Sequence, residues 1–133
     1  MSATTQNQTE ISNLSREIKR GTRVISLSSL TSISAKAYIL HQLQLETKNT
    51  FVIIADSNRE LETWENDIEF WVQSSEFSVK SAIPNPKSQI ETLPSFEVDI
   101  YSAISPHAET LERRALALWN LSENLPNFIL TSA

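Results

Sequence analysis

The sequence predicts an α/β fold of three layers, a parallel sheet flanked by helices, and three observations point there. A polar loop at residues 28–35 separates an apolar run at 24–27 from a helix-like run at 36–44. A continuous apolar run near residues 51–55 leads directly into a capping box and a long amphipathic helix. A further strand-like run at 128–131 follows another helix. Such alternation implies parallel strands joined by right-handed crossovers.

Composition sets the limits of what the chain does. At 133 residues and 15.0 kDa it has the size of one domain with a real core. Its 40% hydrophobic and 20% charged residues are an ordinary globular balance. A net charge of −5 argues against an autonomous nucleic-acid binder, which needs a basic face, but leaves room for assisted contact with DNA. The absence of cysteine excludes disulfides, thiolate metal sites and a cysteine nucleophile. The longest purely apolar run is far shorter than the about 20 residues that cross a bilayer. The first ten residues are polar and lack a signal-peptide core, so a cytoplasmic location and no membrane partner are expected. Gly21 is the one glycine in the chain, so turns must rest on Asn, Asp, Ser and Pro.

In chain order, residues 1–8 read as a disordered lead-in and residues 9–133 as the domain. From Thr9, the side chains Ile11, Leu14 and Ile18 recur at helical spacing up to Gly21, which suits a helix C-terminus. Residues 23–28 read as a first strand, and 34–46 as a helix with Ile39, Leu40 and Leu43 inward. Residues 50–56 form an apolar run of the kind buried on both faces of a parallel sheet. Ser57 and Glu60 make a capping box that opens a helix to about Gln73. Its stripe of Leu61, Trp64, Ile68, Trp71 and Val72 reads as core, and Glu62, Glu65, Asp67 and Glu69 as a solvated face.

Between residues 76 and 104, Pro84, Pro86 and Pro94 break the pattern into short strands near 77–83 and 89–93. Ser105 is placed to cap a helix with Pro106 at its first position and Glu109 in its first turn. That helix is expected to run to about Leu121 and to bury Leu111, Ala115 and Leu118. Residues 128–131 read as the last strand. The chain stops directly after it, which predicts a domain truncated at its C-terminus.

Loops at the carboxyl ends of the strands gather on one edge of such a sheet, where ligands bind. Residues 30–35, residues 56–58 and the segment after Ile129 are expected there. The first of these stands where a nucleotide-binding protein carries its phosphate loop. A working loop, G-x-x-x-x-G-K-[ST], needs glycines so that backbone N–H groups close around phosphates, and a hydroxyl to ligate magnesium. Leu30, Ala35 and Ala37 stand at those positions, with Ser34 between them, and Lys36 alone survives. The frame therefore predicts a degenerate phosphate-loop fold that has lost nucleotide hydrolysis, with no catalytic residue, metal or cofactor of its own.

Residues 93–109, Leu-Pro-Ser-Phe-Glu-Val-Asp-Ile-Tyr-Ser-Ala-Ile-Ser-Pro-His-Ala-Glu, followed by Glu112-Arg113-Arg114 and residues 116–121, resemble the amino-terminal segment of bacterial transcription-repair coupling factor, the Mfd family. That family carries an aromatic-Glu-x-x-x-Tyr pattern and then Ser-Pro-His before an Arg-containing helix. Residues 54–61 are also similar to the strand-loop-helix motif after the phosphate loop of helicase-like proteins, and residues 128–133 to the next strand. The similarity covers about residues 10–133. Phe96 stands where a tryptophan is common, and Val98-Asp99-Ile100-Tyr101 replaces the more usual Thr-Leu-Pro-Tyr, which alters the freedom of the loop at Tyr101.

The resemblance implies a P-loop NTPase/helicase-like region related to domain 1a of UvrB, with a decayed phosphate loop. It further implies that the full-length protein is an ATP-driven, magnesium-dependent DNA translocase that displaces stalled RNA polymerase and recruits UvrA. The motor and the polymerase- and UvrA-binding domains of that family lie C-terminal to this segment. The chain is then expected to be a non-catalytic scaffold whose partners are other domains of the same polypeptide.

Individual residues carry sharper and plainer readings side by side. Lys36 at a helix N-terminus could meet a phosphate; a solvated first-turn lysine is the plainer reading. His107 and His41 are single histidines with no nearby second ligand, which supports packing or exposure rather than metal binding or catalysis. Glu109 and Arg113 are spaced for an exposed i,i+4 ion pair. Phe96, Tyr101, Ser105, Pro106, His107, Arg113 and Arg114 are the candidates for interdomain or partner contact. Two other classes remain: a stand-alone α/β interaction domain, and a residual nucleotide-binding domain, which would need the glycines and the hydroxyl that are missing.

Overall fold

A computed structural model describes residues 2–76, 89–98 and 101–133, and for residues 2–7 and Glu76 it describes the backbone alone. These residues form four helices and one parallel sheet: α1 (Ser2–Lys19), α2 (Ile33–Thr47), β1 (Phe51–Ala55), α3 (Asn58–Glu76), β2 (Ile90–Leu93), α4 (Ala108–Glu123) and β3 (Phe128–Ser132). The strands lie in the order β1-β3-β2, so the last strand in sequence is central. Phe51 and Ile90 both lie beside Phe128 in register.

Local chemistry accounts for the helix ends. Gly21, with φ of 81°, follows α1 and lets the chain turn where L-residues are strained; its N–H reaches back to the Ile18 carbonyl. Ser32 caps α2 by accepting from the Ala35 N–H at 3.1 Å. The capping box at α3 forms as predicted on one side, Ser57 Oγ accepting from Glu60 N–H at 3.2 Å. On the other side Glu60 accepts from the Asp56 N–H, one residue earlier than the usual reciprocal bond. The helix α1 extends back over the predicted lead-in as far as Ser2.

One side of the sheet carries the core. Ile53, Ala55, Ile90, Phe128 and Leu130 pack against Ala37 of α2 and against Leu61, Trp64, Ile68 and Val72 of α3. The stripe predicted for α3 is thus the buried one. Trp71 adds an N–H bond to the Ser34 carbonyl and an edge contact to the Tyr38 ring at 4.9 Å, tying α3 to α2.

Several expectations give way. Residues 23–28 form no strand: Val24 is 81% exposed, and an apolar run becomes a strand only when a neighbour satisfies its backbone. β1 is buried on one face only, since Val52 and Ile54 are 60% and 71% exposed, so the third layer is open over β1. The expected strand at 77–83 lies outside the described residues, whereas the 89–93 piece is β2.

Helix α4 departs furthest. It starts after His107 rather than Ser105, and His107 caps it with no side-chain bond. Its inward side carries Arg113, Arg114, Ala117 and Asn120, while Leu111, Ala115 and Leu118 point outward with Trp119. The apolar stripe is therefore turned away from the core. It is the polar stripe that finds partners on β2 and α3.

Candidate functional site

The segment where a phosphate loop is expected is the first region of interest. Residues 22–32 are irregular, and Ser29 takes φ of 70° with no glycine to ease it. Leu27 and Leu30 turn toward α2, where they line a cavity of about 230 Å³ with Lys36, Ile39, Leu40 and Trp64. On the α1 side Leu27, Leu30 and Tyr38 border a second, larger apolar space that also includes Glu10. An anion has little to hold here. The Ala35 N–H, one of the donors a helix N-terminus would offer, is already bonded to Ser32, and the Ser34 carbonyl is bonded to Trp71. Lys36 is half-buried beside apolar neighbours. Ala37, the position that would need a metal-binding hydroxyl, is 0% exposed and belongs to the core cluster.

The carboxyl edge of the sheet is the second region. Parallel strands bring the exits of β1, β2 and β3 together there. Asn58 ties all three: its Oδ1 accepts from the Ser95 N–H at 2.8 Å and from the Ser132 hydroxyl, and its Nδ2 donates to the Ser95 carbonyl at 3.0 Å. Ser132 Oγ also accepts from the Ser95 N–H at 2.8 Å. Residues 56–58 and Ser132 thus share the predicted edge, joined by Ser95. Leu30 instead lines the cavity that Trp64 and α2 border.

Beside this knot is a cavity of about 180 Å³ lined by Asn58, Glu62, Thr92, Glu97, Glu109 and Arg113. Three carboxylates face one guanidinium, an arrangement unfavourable to phosphate. Among the described residues no group of three or more His, Asp or Glu side chains is placed to hold a metal ion.

The third region gathers the residues singled out near α4. Arg114 places its guanidinium over the Phe96 ring, 4.4 Å from the centroid, and donates to the Pro94 carbonyl. Arg113 pairs with Glu65 of α3 at 3.4 Å rather than with Glu109, so the expected intrahelical pair gives way to a contact between elements. Glu65 in turn accepts from the Thr92 hydroxyl at 3.0 Å and is no part of a solvated face. Asn120 donates to Glu91 at 2.9 Å; desolvation raises the Glu91 carboxyl above its usual range, that bond partly offsets the rise, and nearby Glu65 adds to it. Arg113 and Arg114 therefore serve contacts within the molecule. Tyr101, Ser105 and His107 are exposed, and Pro106 is half-buried.

Sequence reasoning missed Asn58, Glu65 and Glu91. Asn58, the first residue of α3, had as its one signal its place in the 56–58 segment expected at the sheet edge, and nothing local marked the other two. His41 proves to be buried, its Nε2 3.2 Å from the Ser75 hydroxyl and its Nδ1 without a partner. Burial lowers its pKa below 6.5.

Comparison of the chain with protein-family models, curated proteins and solved structures finds no match. Among the described residues, no helix is long and apolar enough to cross a membrane.

Proposed function

We infer that this chain is a nucleotide-incompetent, UvrB-like module of a transcription-repair coupling factor, acting as a scaffold rather than an enzyme. The observation that supports incompetence is Ala37: its methyl group lies in the core, so the position that a magnesium-binding hydroxyl would take is closed to solvent. The acidic lining at the carboxyl edge supports the same reading. The assignment to the coupling factor rests on the sequence pattern at residues 93–121 and on the β-α-β order of a helicase-like fold. ATP, magnesium, DNA, RNA polymerase and UvrA then belong to other parts of a cytoplasmic protein.

The module's contribution is a surface. Leu111, Leu118 and Trp119 on α4 form an exposed apolar stripe that suits another domain of the same polypeptide. A stand-alone interaction domain would use the same stripe, and one experiment separates the two. Trp119, 66% exposed, should shift its fluorescence to the blue when the chain is mixed with the remainder of a coupling factor, and a Trp119→Phe variant should lose that shift. An unchanged spectrum with no complex by ultracentrifugation would defeat the coupling-factor reading.

A further inference from the structure

We propose that the free edge of β1 is a self-association surface, on which a second copy of this chain adds its own β1 antiparallel to form a continuous six-stranded sheet. The parallel register and the bonds Phe51 N–H to Asn127 and Ala133 N–H to Ala55 turn the backbone groups of Phe51, Ile53 and Ala55 toward β3. By alternation, those of Val52 and Ile54 point to the open edge. No strand pairs with that edge among the described residues. Soluble proteins guard such edges with charge, proline or a bulge, and Phe-Val-Ile-Ile-Ala has none of these. The exposed side chains of Val52 and Ile54 extend the same apolar strip onto the open face.

Charge identifies the occupant. The edge runs from Lys48, exposed at the end of α2, to Asp56 at the strand exit, where Glu60 adds a second carboxylate through its bond to the Asp56 N–H. A parallel neighbour of the same kind would set like charges together. A two-fold axis at Val52 instead pairs Val52 with Val52, places Ile54 opposite Thr50, and brings Lys48 of each copy toward Asp56 of the other. Such an interface is closed and self-complementary. It lies at the opposite edge of the sheet from β2 and α4, so it does not compete with the stripe on α4.

The chain has no cysteine, which permits a direct test. Two Val52 Cα atoms in a hydrogen-bonded antiparallel pair lie about 5.5 Å apart, within disulfide range. Under mild oxidation the Val52→Cys variant should form a covalent dimer, and a Ser122→Cys control should not. Ultracentrifugation should show a dimer weakened by about tenfold or more with Ile54→Lys. Lys48→Asp and Asp56→Lys should each weaken it, and the double exchange should restore it. A monomer at every concentration up to about 1 mM, a dimer indifferent to Ile54→Lys, or a charge exchange that fails to restore pairing would each overturn the proposal.

Discussion

Arg114 holds its guanidinium 4.4 Å from the centroid of the Phe96 ring while donating to the carbonyl of Pro94, so one side chain of α4 fastens the loop that leaves β2. Removing it forfeits a charge-assisted hydrogen bond and a cation–π contact, together about 1–2 kcal/mol. Arg114→Ala should therefore lower the urea midpoint. Arg114→Lys should recover only part of the loss, since an ammonium cannot stack as a guanidinium does. An Arg114→Lys midpoint equal to that of the native chain would show that the planar stack contributes nothing.

Asn58 should behave as a latch. Asn58→Ala takes one of its two acceptors from the Ser95 N–H, which keeps Ser132, and leaves the Ser95 carbonyl and the Ser132 hydroxyl short of a partner in a half-buried place, which costs about 1–3 kcal/mol. The Ser95 amide should also exchange its hydrogen faster relative to the β3 amides. Asn58→Asp keeps the acceptor but loses the donor, and should be intermediate in the same measurements.

His41 sets a pH dependence. Its folded pKa is lowered, mainly by desolvation, so the unfolded chain binds the proton more readily. Stability is then full above about pH 6.5 and declines as pH falls below that value toward the folded pKa. Glu91 acts with the opposite sign: its raised pKa means that ionisation costs stability as pH rises past 4.5. Urea midpoints between pH 7.5 and 5.5 should drop for the native chain, and His41→Gln should flatten that slope.

Thermal unfolding should not respond to millimolar magnesium-ATP, whereas a ligand at a hundred times its dissociation constant adds about 2.7 kcal/mol. Ala37→Thr restores the motif letter yet buries a hydroxyl in the core, at a cost of about 1–3 kcal/mol. It should lower the melting temperature and confer no response to nucleotide. A shift with ATP that vanishes on Lys36→Ala would refute the incompetent reading.

The fold was legible at several elements whose signal was local, though not at the start of α4, where the Ser105-Pro106 signal gave way to a start after His107. The capping box at Ser57 and Glu60, the stripe Leu61, Trp64, Ile68 and Val72, and Gly21 after α1 each express one element's own chemistry. Residues 23–28 misled because strand formation depends on a neighbour that periodicity does not reveal. Helix α4 misled for a related reason: hydropathy ranks Leu111 and Leu118 above Arg113 and Asn120, but the neighbours supplied by β2 and α3 are Glu91 and Glu65. Of the candidate site, the letters alone show that Leu30, Ala35 and Ala37 supply neither glycine nor hydroxyl, whereas the burial of Ala37 in the core depends on packing that they do not reveal. The Asn58 knot joins residues 37 and 74 positions apart, beyond any local pattern.

The inverted α4 reverses the ordinary rules for engineering the solubility of this chain. Serine or lysine in place of Leu111, Leu118 or Trp119 should improve handling of the isolated chain with little loss of melting temperature. The usual choice, to leave leucines alone and vary the arginines and asparagine, would here remove the contacts that fasten α4 to β2 and α3.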